Sequence, residues 1–232
     1  MKQLVITIDG PAGAGKTTVS KILARRLGYK YVDTGALYRG VALEANSAGL
    51  SMDDDAGLDR LCKGIKLKFV NGKKGQLFFL NESDITDRIR SPEISMMASA
   101  VSARPVVRKF LLDVQRDMGK KGGAVFEGRD MGTVVFPNAH VKFFLDASIK
   151  TRALRRYEEV KSTSSQSLED VKKDMEDRDR NDSTRALAPL KPADDAIKIN
   201  STDFGVDDVV KLMLAEVKEK QVLKRQHRSF EF

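Results

Sequence analysis

Eight consecutive residues, Gly10, Pro11, Ala12, Gly13, Ala14, Gly15, Lys16 and Thr17, match the spacing G-x-x-x-x-G-K-[ST] at every fixed position. The chemistry such a run suits is capture of a triphosphate. Its glycines permit backbone angles that turn successive N–H groups inward as an anion nest, and a helix starting near Lys16 adds its positive N-terminal end. Lys16 can reach the β- and γ-phosphates. Thr17, or its neighbour Thr18, can place a hydroxyl on Mg²⁺. The context separates the match from a chance glycine-rich turn. Residues 4–8 (LVITI) read as a strand before the loop, and Val19, Ile22, Leu23 and Leu27 recur at helical spacing after it, with Gly28 as a C-cap. The loop alone does not choose an activity, because GTPases, transporters, helicases and kinases all carry one.

Four further charged groups narrow the choice. Residues 33–39 read DTGALYR and place Thr34, Tyr38 and Arg39 just beyond a short strand. Residues 127–130 read EGRD; Arg129 can grip a phosphate bidentately, and Glu127 stands like the acidic residue that helps hold Mg²⁺, often through water, in many P-loop proteins. Arg178, Asp182 and Arg185 are spaced four and three apart, so one helical face can carry all three. Arg152, Arg155 and Arg156 form another basic cluster. The first three groups also have a plainer reading: Arg39 as an exposed helix arginine, Arg129–Asp130 as a salt bridge in a tight turn, Arg178–Asp182–Arg185 as a surface ion-pair ladder. Together they point to a second anionic substrate. Two unit charges ~4 Å apart repel by about 4 kcal/mol at an effective dielectric of 20. Fixed arginines offset that repulsion when one phosphate is brought up to another.

The elements that must position these groups follow from periodicity. A strand over residues 29–32 ends at Asp33, and a helix runs from about 36 to 45. Residues 64–87 break the pattern: strands at 65–70 and 76–80 around a turn at 71–75 predict an antiparallel hairpin, with room for a third strand. Ser91 before Pro92 predicts an N-cap with Pro at the first helical position. Arg104-Pro105 opens a helix with Val107, Phe110, Leu111, Val114 and Met118 on one face. Residues 124–126 and 141–145 suit buried parallel strands. Helices are expected at 148–161, 167–180 and 206–220, a last strand at 196–199, and a polar joint at 162–167 that could act as a hinge. The tail, 224–232, shows no period and is expected to be disordered. The sum is an α/β fold, a doubly wound sheet of about five parallel strands with helices on both faces and a small antiparallel β insertion.

With these residues in hand, the chain resembles the bacterial cytidylate kinases of the nucleoside monophosphate kinase family, essentially end to end. The most specific pieces are residues 33–39 (DTGALYR), 128–137 (GRDMGTVVFP) and 182–190 (DSTRALAPL). The resemblance implies a single P-loop kinase domain with a monophosphate-binding insertion at 34–104 and a short lid at 151–185. It implies ATP and CMP (or dCMP) giving ADP and CDP (or dCDP), with Mg²⁺ and in a monomer. By motif, it puts Arg39, Arg129 and Arg185 on the CMP phosphate, with Thr34 and Tyr38 lining that site. It puts Ser99, Arg108 and Asp130 on the cytosine edge, Arg178 and Asp182 on the sugar, and Arg155 and Arg156 over ATP. A carboxylate opposite cytosine agrees with the chemistry: the exocyclic amine donates to Asp130, whereas uracil presents a carbonyl there. Two positions depart from the family's usual pattern. Thr17 stands where a glycine often follows the lysine, which favours direct contact with Mg²⁺, and Glu127 stands where Asp is more common.

Composition bounds the rest. No stretch reaches the roughly 18 apolar residues of a membrane helix, and residues 4–8 are too short for a secretory signal, so the cytoplasm is expected. One cysteine, Cys62, excludes an internal disulfide. The net charge of +8 raises a nucleic-acid-binding ATPase as a rival. However, there is no Trp and aromatics are 6%, which makes a poor stacking platform, and the arginines are interleaved with acids. The nearer rival is a kinase of another monophosphate, UMP or AMP. The acceptor phosphate is already largely ionised near neutral pH, its second pKa being about 6, so no general base is required.

Overall fold

A computed structural model of the chain describes residues 3–72, 75–162 and 164–228. In chain order the elements are β1 (Val5–Asp9), α1 (Lys16–Leu27), β2 (Lys30–Asp33), α2 (Thr34–Ser47), α3 (Asp55–Gly64), β3 (Leu67–Gly72), β4 (Gly75–Leu80), β5 (Ser83–Asp84), α4 (Pro92–Val101), α5 (Pro105–Gly119), β6 (Ala124–Gly128), β7 (Val141–Asp146), α6 (Ile149–Val160), α7 (Leu168–Thr184), β8 (Ile197–Asn200) and α8 (Val206–Arg228). A 3-10 turn, Arg88–Arg90, precedes α4, and a π-helical turn, Met131–Val135, follows β6. The chain divides into two compact units, residues 1–31, 121–184 and 188–232 in the first, and residues 32–120 and 185–187 in the second.

The first unit is built on a five-stranded sheet of order β2-β6-β1-β7-β8, which β2 enters through Lys30 and Tyr31. β1 pairs in parallel with β6 and β7, and β7 with β8. Central β1 is buried at every position, as a strand covered on both faces must be. Ile6, Ile8 and Val125 pack with Val19 and Leu23 of α1 and Val210, Met213 and Val217 of α8. The alternate residues point the other way, where Phe126 meets Phe136 with ring centroids 4.4 Å apart. Gly28, at φ 67, ends α1 as expected, and its N–H turns back onto Arg25.

The second unit has its own core, formed by Leu37 and Val41 of α2, Ile94 and Val101 of α4, Val107 and Leu111 of α5, and Phe78 and Leu80 of β4. Its sheet is antiparallel, β3-β4-β5, so the expected hairpin and third strand are both present. The strands run further into the predicted turn than expected, with Asn71 opposite Gln76 and Gly72 opposite Gly75; residues 73–74 lie outside the described residues. Ser91 caps α4 as predicted, accepting from the Ile94 N–H at 3.1 Å.

Four expectations are corrected. β1 is shifted by one residue, to Val5–Asp9. Helix α3 was not anticipated, since only Gly57, Leu58 and Cys62 of it are fully buried and its polar remainder hides the period. Helix α7 runs to Thr184 rather than 180 and stops before Arg185, so one helical face does not carry Arg178, Asp182 and Arg185 together. The tail is helical through Arg228, as part of α8, and residues 229–232 lie outside the described residues. Among the described residues no helix is long and apolar enough to cross a membrane.

Candidate active site

The loop after β1 is shaped by backbone that only glycine accepts. Gly10 has φ +148, and a Cβ placed there would lie 1.9 Å from the Leu145 carbonyl oxygen of the neighbouring strand. Gly10→Ala is therefore expected to destabilise the protein by more than about 3 kcal/mol, through overpacking against main chain and strained φ. A urea unfolding titration checks this. Beyond the loop, Gly15 is left-handed and α1 begins at Lys16, so the helix N-terminus lies directly at the end of the loop.

Lys16 is buried, and its Nζ donates to the Pro11 carbonyl oxygen at 2.6 Å. Burial pushes its ammonium down to about 7, the Arg129 and Arg178 charges push the same way, and Glu127 and Asp9 pull it back. The lysine thus sits in a field to which Arg129 and Arg178 both contribute. Thr17 donates its hydroxyl to Glu127 at 2.9 Å, and the Tyr31 hydroxyl donates to the same carboxylate oxygen. Mg²⁺ takes hard oxygen ligands. A hydroxyl and a carboxylate this close at the foot of the loop are such a donor pair, so the residues fit that ion. Thr18 follows Thr17 at the exposed start of α1.

Arg129 leaves the end of β6 and pairs with Asp182 of α7, Nε to Oδ2 2.9 Å, in a largely buried bridge. The arginine's partner is thus Asp182, 53 residues away, rather than the adjacent Asp130, which is itself buried. Behind them lies Asp9, also buried, whose two carboxylate oxygens accept from the Met131 and Gly132 N–H groups at 2.9 and 2.7 Å. Burial pushes the Asp9 carboxyl up to about 6. The Gly132 and Met131 N–H bonds and Lys16 lower it, while Asp130 raises it.

Of the α6 arginines, Arg152 is the buried one. It donates to the Ala12 and Ala147 carbonyl oxygens and to Asp179 of α7, the last at 2.6 Å, so it braces the loop against α7. Arg155 donates to the Ser201 hydroxyl and carbonyl, and its guanidinium lies 3.9 Å from where a Cβ on Gly15 would stand. Arg156 is partly exposed and pairs with Glu159 one turn on.

The second unit holds the other predicted residues. Asp33 caps α2 through the Ala36 N–H and holds Arg39 at 2.8 Å. Thr34 and Tyr38 are buried on the first turns of α2, and the Arg108 guanidinium lies over the Tyr38 ring, 5.8 Å from its centroid. Arg108 donates to the Ser102 carbonyl at 3.0 Å, Arg185 to the Ser102 hydroxyl at 3.2 Å, and that hydroxyl to the Ser99 carbonyl at 2.7 Å. Ser102 thus gathers Ser99, Arg108 and Arg185. Sequence reasoning missed Ser102, Asp9, Tyr31 and Asp33 as site residues. Asp33 carried a readable signal, a carboxylate directly before a helix and six residues before an arginine. Asp9 and Tyr31 act through long-range bonds that spacing does not reveal, as does Ser102 in its bond to Arg185.

A parallel sheet with a P-loop between its first strand and first helix, a buried loop lysine and arginines flanking it define a P-loop kinase. The gluconokinase of Sinorhizobium meliloti has the same fold, with a TM-score of 0.50 and 13% identity over 97% of this chain and 98% of that one. A sequence model described as cytidylate kinase matches residues 6–219. The chain is 48% identical over 218 residues to the cytidylate kinase of Geobacter sp. (strain M21), covering 94% of both. It is 48% identical over 219 residues to that of Geobacter sulfurreducens, again 94% of both. The chain belongs to the cytidylate kinase family.

Proposed function

We propose that the protein transfers the γ-phosphate of ATP to CMP or dCMP, giving ADP and CDP or dCDP. Family membership over nearly the whole chain supports the reaction, and the observation that carries its chemistry is Arg129, poised by Asp182 and close enough to Lys16 to lower its pKa. ATP lies on residues 10–17, with Thr18, Arg155 and Arg156 beside it. Arg39, Arg129 and Arg185 take the acceptor phosphate, with Thr34 and Tyr38 against it. Ser99, Arg108 and Asp130 read the cytosine, and Arg178 and Asp182 hold the sugar. Residues 34–104 serve as the monophosphate-binding insertion and 151–185 as the lid.

The acceptor oxygen needs no base to ionise it. The protein's work is to place two anions together, spread charge from the transferring group over Lys16 and the arginines, and exclude water that would hydrolyse ATP. Mg²⁺, when bound by Thr17 and, through water, by Glu127, supplies further neutralisation of the ATP phosphates. The arginines here are paired with acids: Arg39 with Asp33, Arg104 with Asp55, Arg129 with Asp182 and Arg152 with Asp179. That pairing favours a small polyanionic substrate over a nucleic acid. The enzyme works in the cytoplasm as a monomer.

Steady-state kinetics with CMP, dCMP, UMP and AMP test the assignment. CMP and dCMP are expected to lead. Asp130→Asn is expected to lower the kcat/KM ratio of CMP over UMP by about tenfold, the scale of one mismatched buried polar contact. Equal or faster turnover of UMP or AMP would overturn the assignment.

A further inference from the structure

Asp130 stands at the N-cap of the π-helical turn Met131–Val135, and by residue type it should cap that turn itself. It makes no side-chain capping bond. The first two N–H groups of the turn, from Met131 and Gly132, are bound instead by Asp9, 122 and 123 residues away, at 2.9 and 2.7 Å. The turn's own bonds start later, with the Val134 and Phe136 N–H groups donating to the Asp130 and Met131 carbonyls. The cap of this turn is therefore supplied from another strand.

Asp9 is an unusually rigid place from which to supply it. It ends central β1, opposite Gly128 of β6 on one side and Phe144 of β7 on the other. The next residue, Gly10, is pressed against the Leu145 carbonyl. The Asp9 side chain is buried, and both its oxygens are used, so the backbone just after Asp130 is held at two points relative to the strand that leads into the P-loop. With Asp9 supplying the cap, Asp130 makes no capping bond to its own turn.

We propose that Asp9 is a positioning residue for substrate choice. By capping the turn in place of Asp130, it sets the Asp130 carboxylate against the base of the acceptor nucleotide. The inference rests on the reading that Asp130 accepts from the cytosine amine. A carboxylate at position 9 suits this role better than its amide would, since both oxygens accept. An asparagine has the same shape but a single acceptor oxygen, and its NH₂ would face a backbone N–H, donor against donor.

The test is the ratio of kcat/KM for CMP over UMP. ATP is common to both reactions, so any effect of Asp9 on Lys16 cancels in the ratio. Asp9→Asn is expected to lower the ratio about tenfold, with KM for CMP rising far more than KM for ATP. In the Asp9→Asn, Asp130→Asn double variant the ratio is expected to fall no further than in Asp130→Asn alone, because Asp9 acts through Asp130. Should Asp9→Asn not fold, Asp9→Ser, which keeps one acceptor, takes its place in the same assay. If Asp130→Asn leaves the ratio unchanged, the base-reading role is wrong. If Asp130→Asn lowers it and the Asp9 variant, active with ATP, does not, the positioning role alone is overturned.

Discussion

Arg129→Ala is expected to lower turnover by about 10³-fold or more, the scale of a single arginine acting on a transferring phosphoryl group, while ATP affinity stays nearly unchanged. The guanidinium is held by Asp182 at 2.9 Å and by the Gly128 carbonyl at 3.3 Å, so its fork is aimed before any substrate arrives and little reorganisation is needed at the moment of transfer. Its charge also lowers the Lys16 pKa. Removing it lets Lys16 hold its proton more firmly, which favours the bound triphosphate and works against any loss of ATP affinity. A second consequence is structural. Asp182 is buried and loses this partner, so the variant should also lose stability, on the order of 1–3 kcal/mol. Arg129→Lys restores the charge but not the bidentate fork and should recover only part of the rate. Single-turnover kinetics, ATP titration calorimetry and a thermal melt separate the three effects. An ATP affinity that falls in proportion to the rate would move Arg129 to the donor side and break the proposed division of labour.

How much of this was legible beforehand depends on the range of the interaction involved. The P-loop is local, eight residues whose chemistry and flanking periodicities all lie within residues 4–28, and it was read correctly together with the α/β class and the hairpin insertion. Arg129 was also legible as a phosphate-binding candidate, from its place at the end of an apolar run. Its partner was not. Adjacency offered Asp130, whereas the fold brings Asp182 to Arg129 and leaves Asp130 beside a turn capped by Asp9. The extent of α7 was misjudged for a related reason: residues 181–184 (NDST) are weak helix formers, yet tertiary contacts carry the helix through them to Thr184. Ser102, which collects Arg108 and Arg185, has no sequence signature, because a small hydroxyl after a helix usually means only a cap.

Lys16→Met should lower kcat/KM by about 10²–10³-fold, as loss of a charged donor to the transferring group does, and should at the same time make the nucleotide-free protein more stable near neutral pH. The sign follows from burial. The Lys16 pKa falls from 10.5 when unfolded to about 7 when folded, so below about 7 both states are protonated and the folded state bears the whole cost of burying the charge. Between about 7 and 10.5 the unfolded chain binds the extra proton, and stability rises with pH across that window. Methionine has similar length and no charge, so the variant should melt higher at pH 7 and lose that rise. Asp9 acts in a separate window: its folded value of about 6 lies above the usual 3.8, so its contribution falls as pH climbs between the two. Calorimetry supplies the companion measurement. At pH 8 the empty site holds Lys16 largely neutral, and a bound triphosphate requires the ammonium, so ATP binding should take up a proton there and much less at pH 6. Running the titration in buffers of different ionisation heat reads that proton directly. A variant that melts lower than the parent, or ATP binding without proton uptake at pH 8, would mean that the loop does not hold its lysine under strain. With both results as expected, the stability given up by burying Lys16 is the cost of holding, where the γ-phosphate leaves, an amine that becomes a cation when the triphosphate binds.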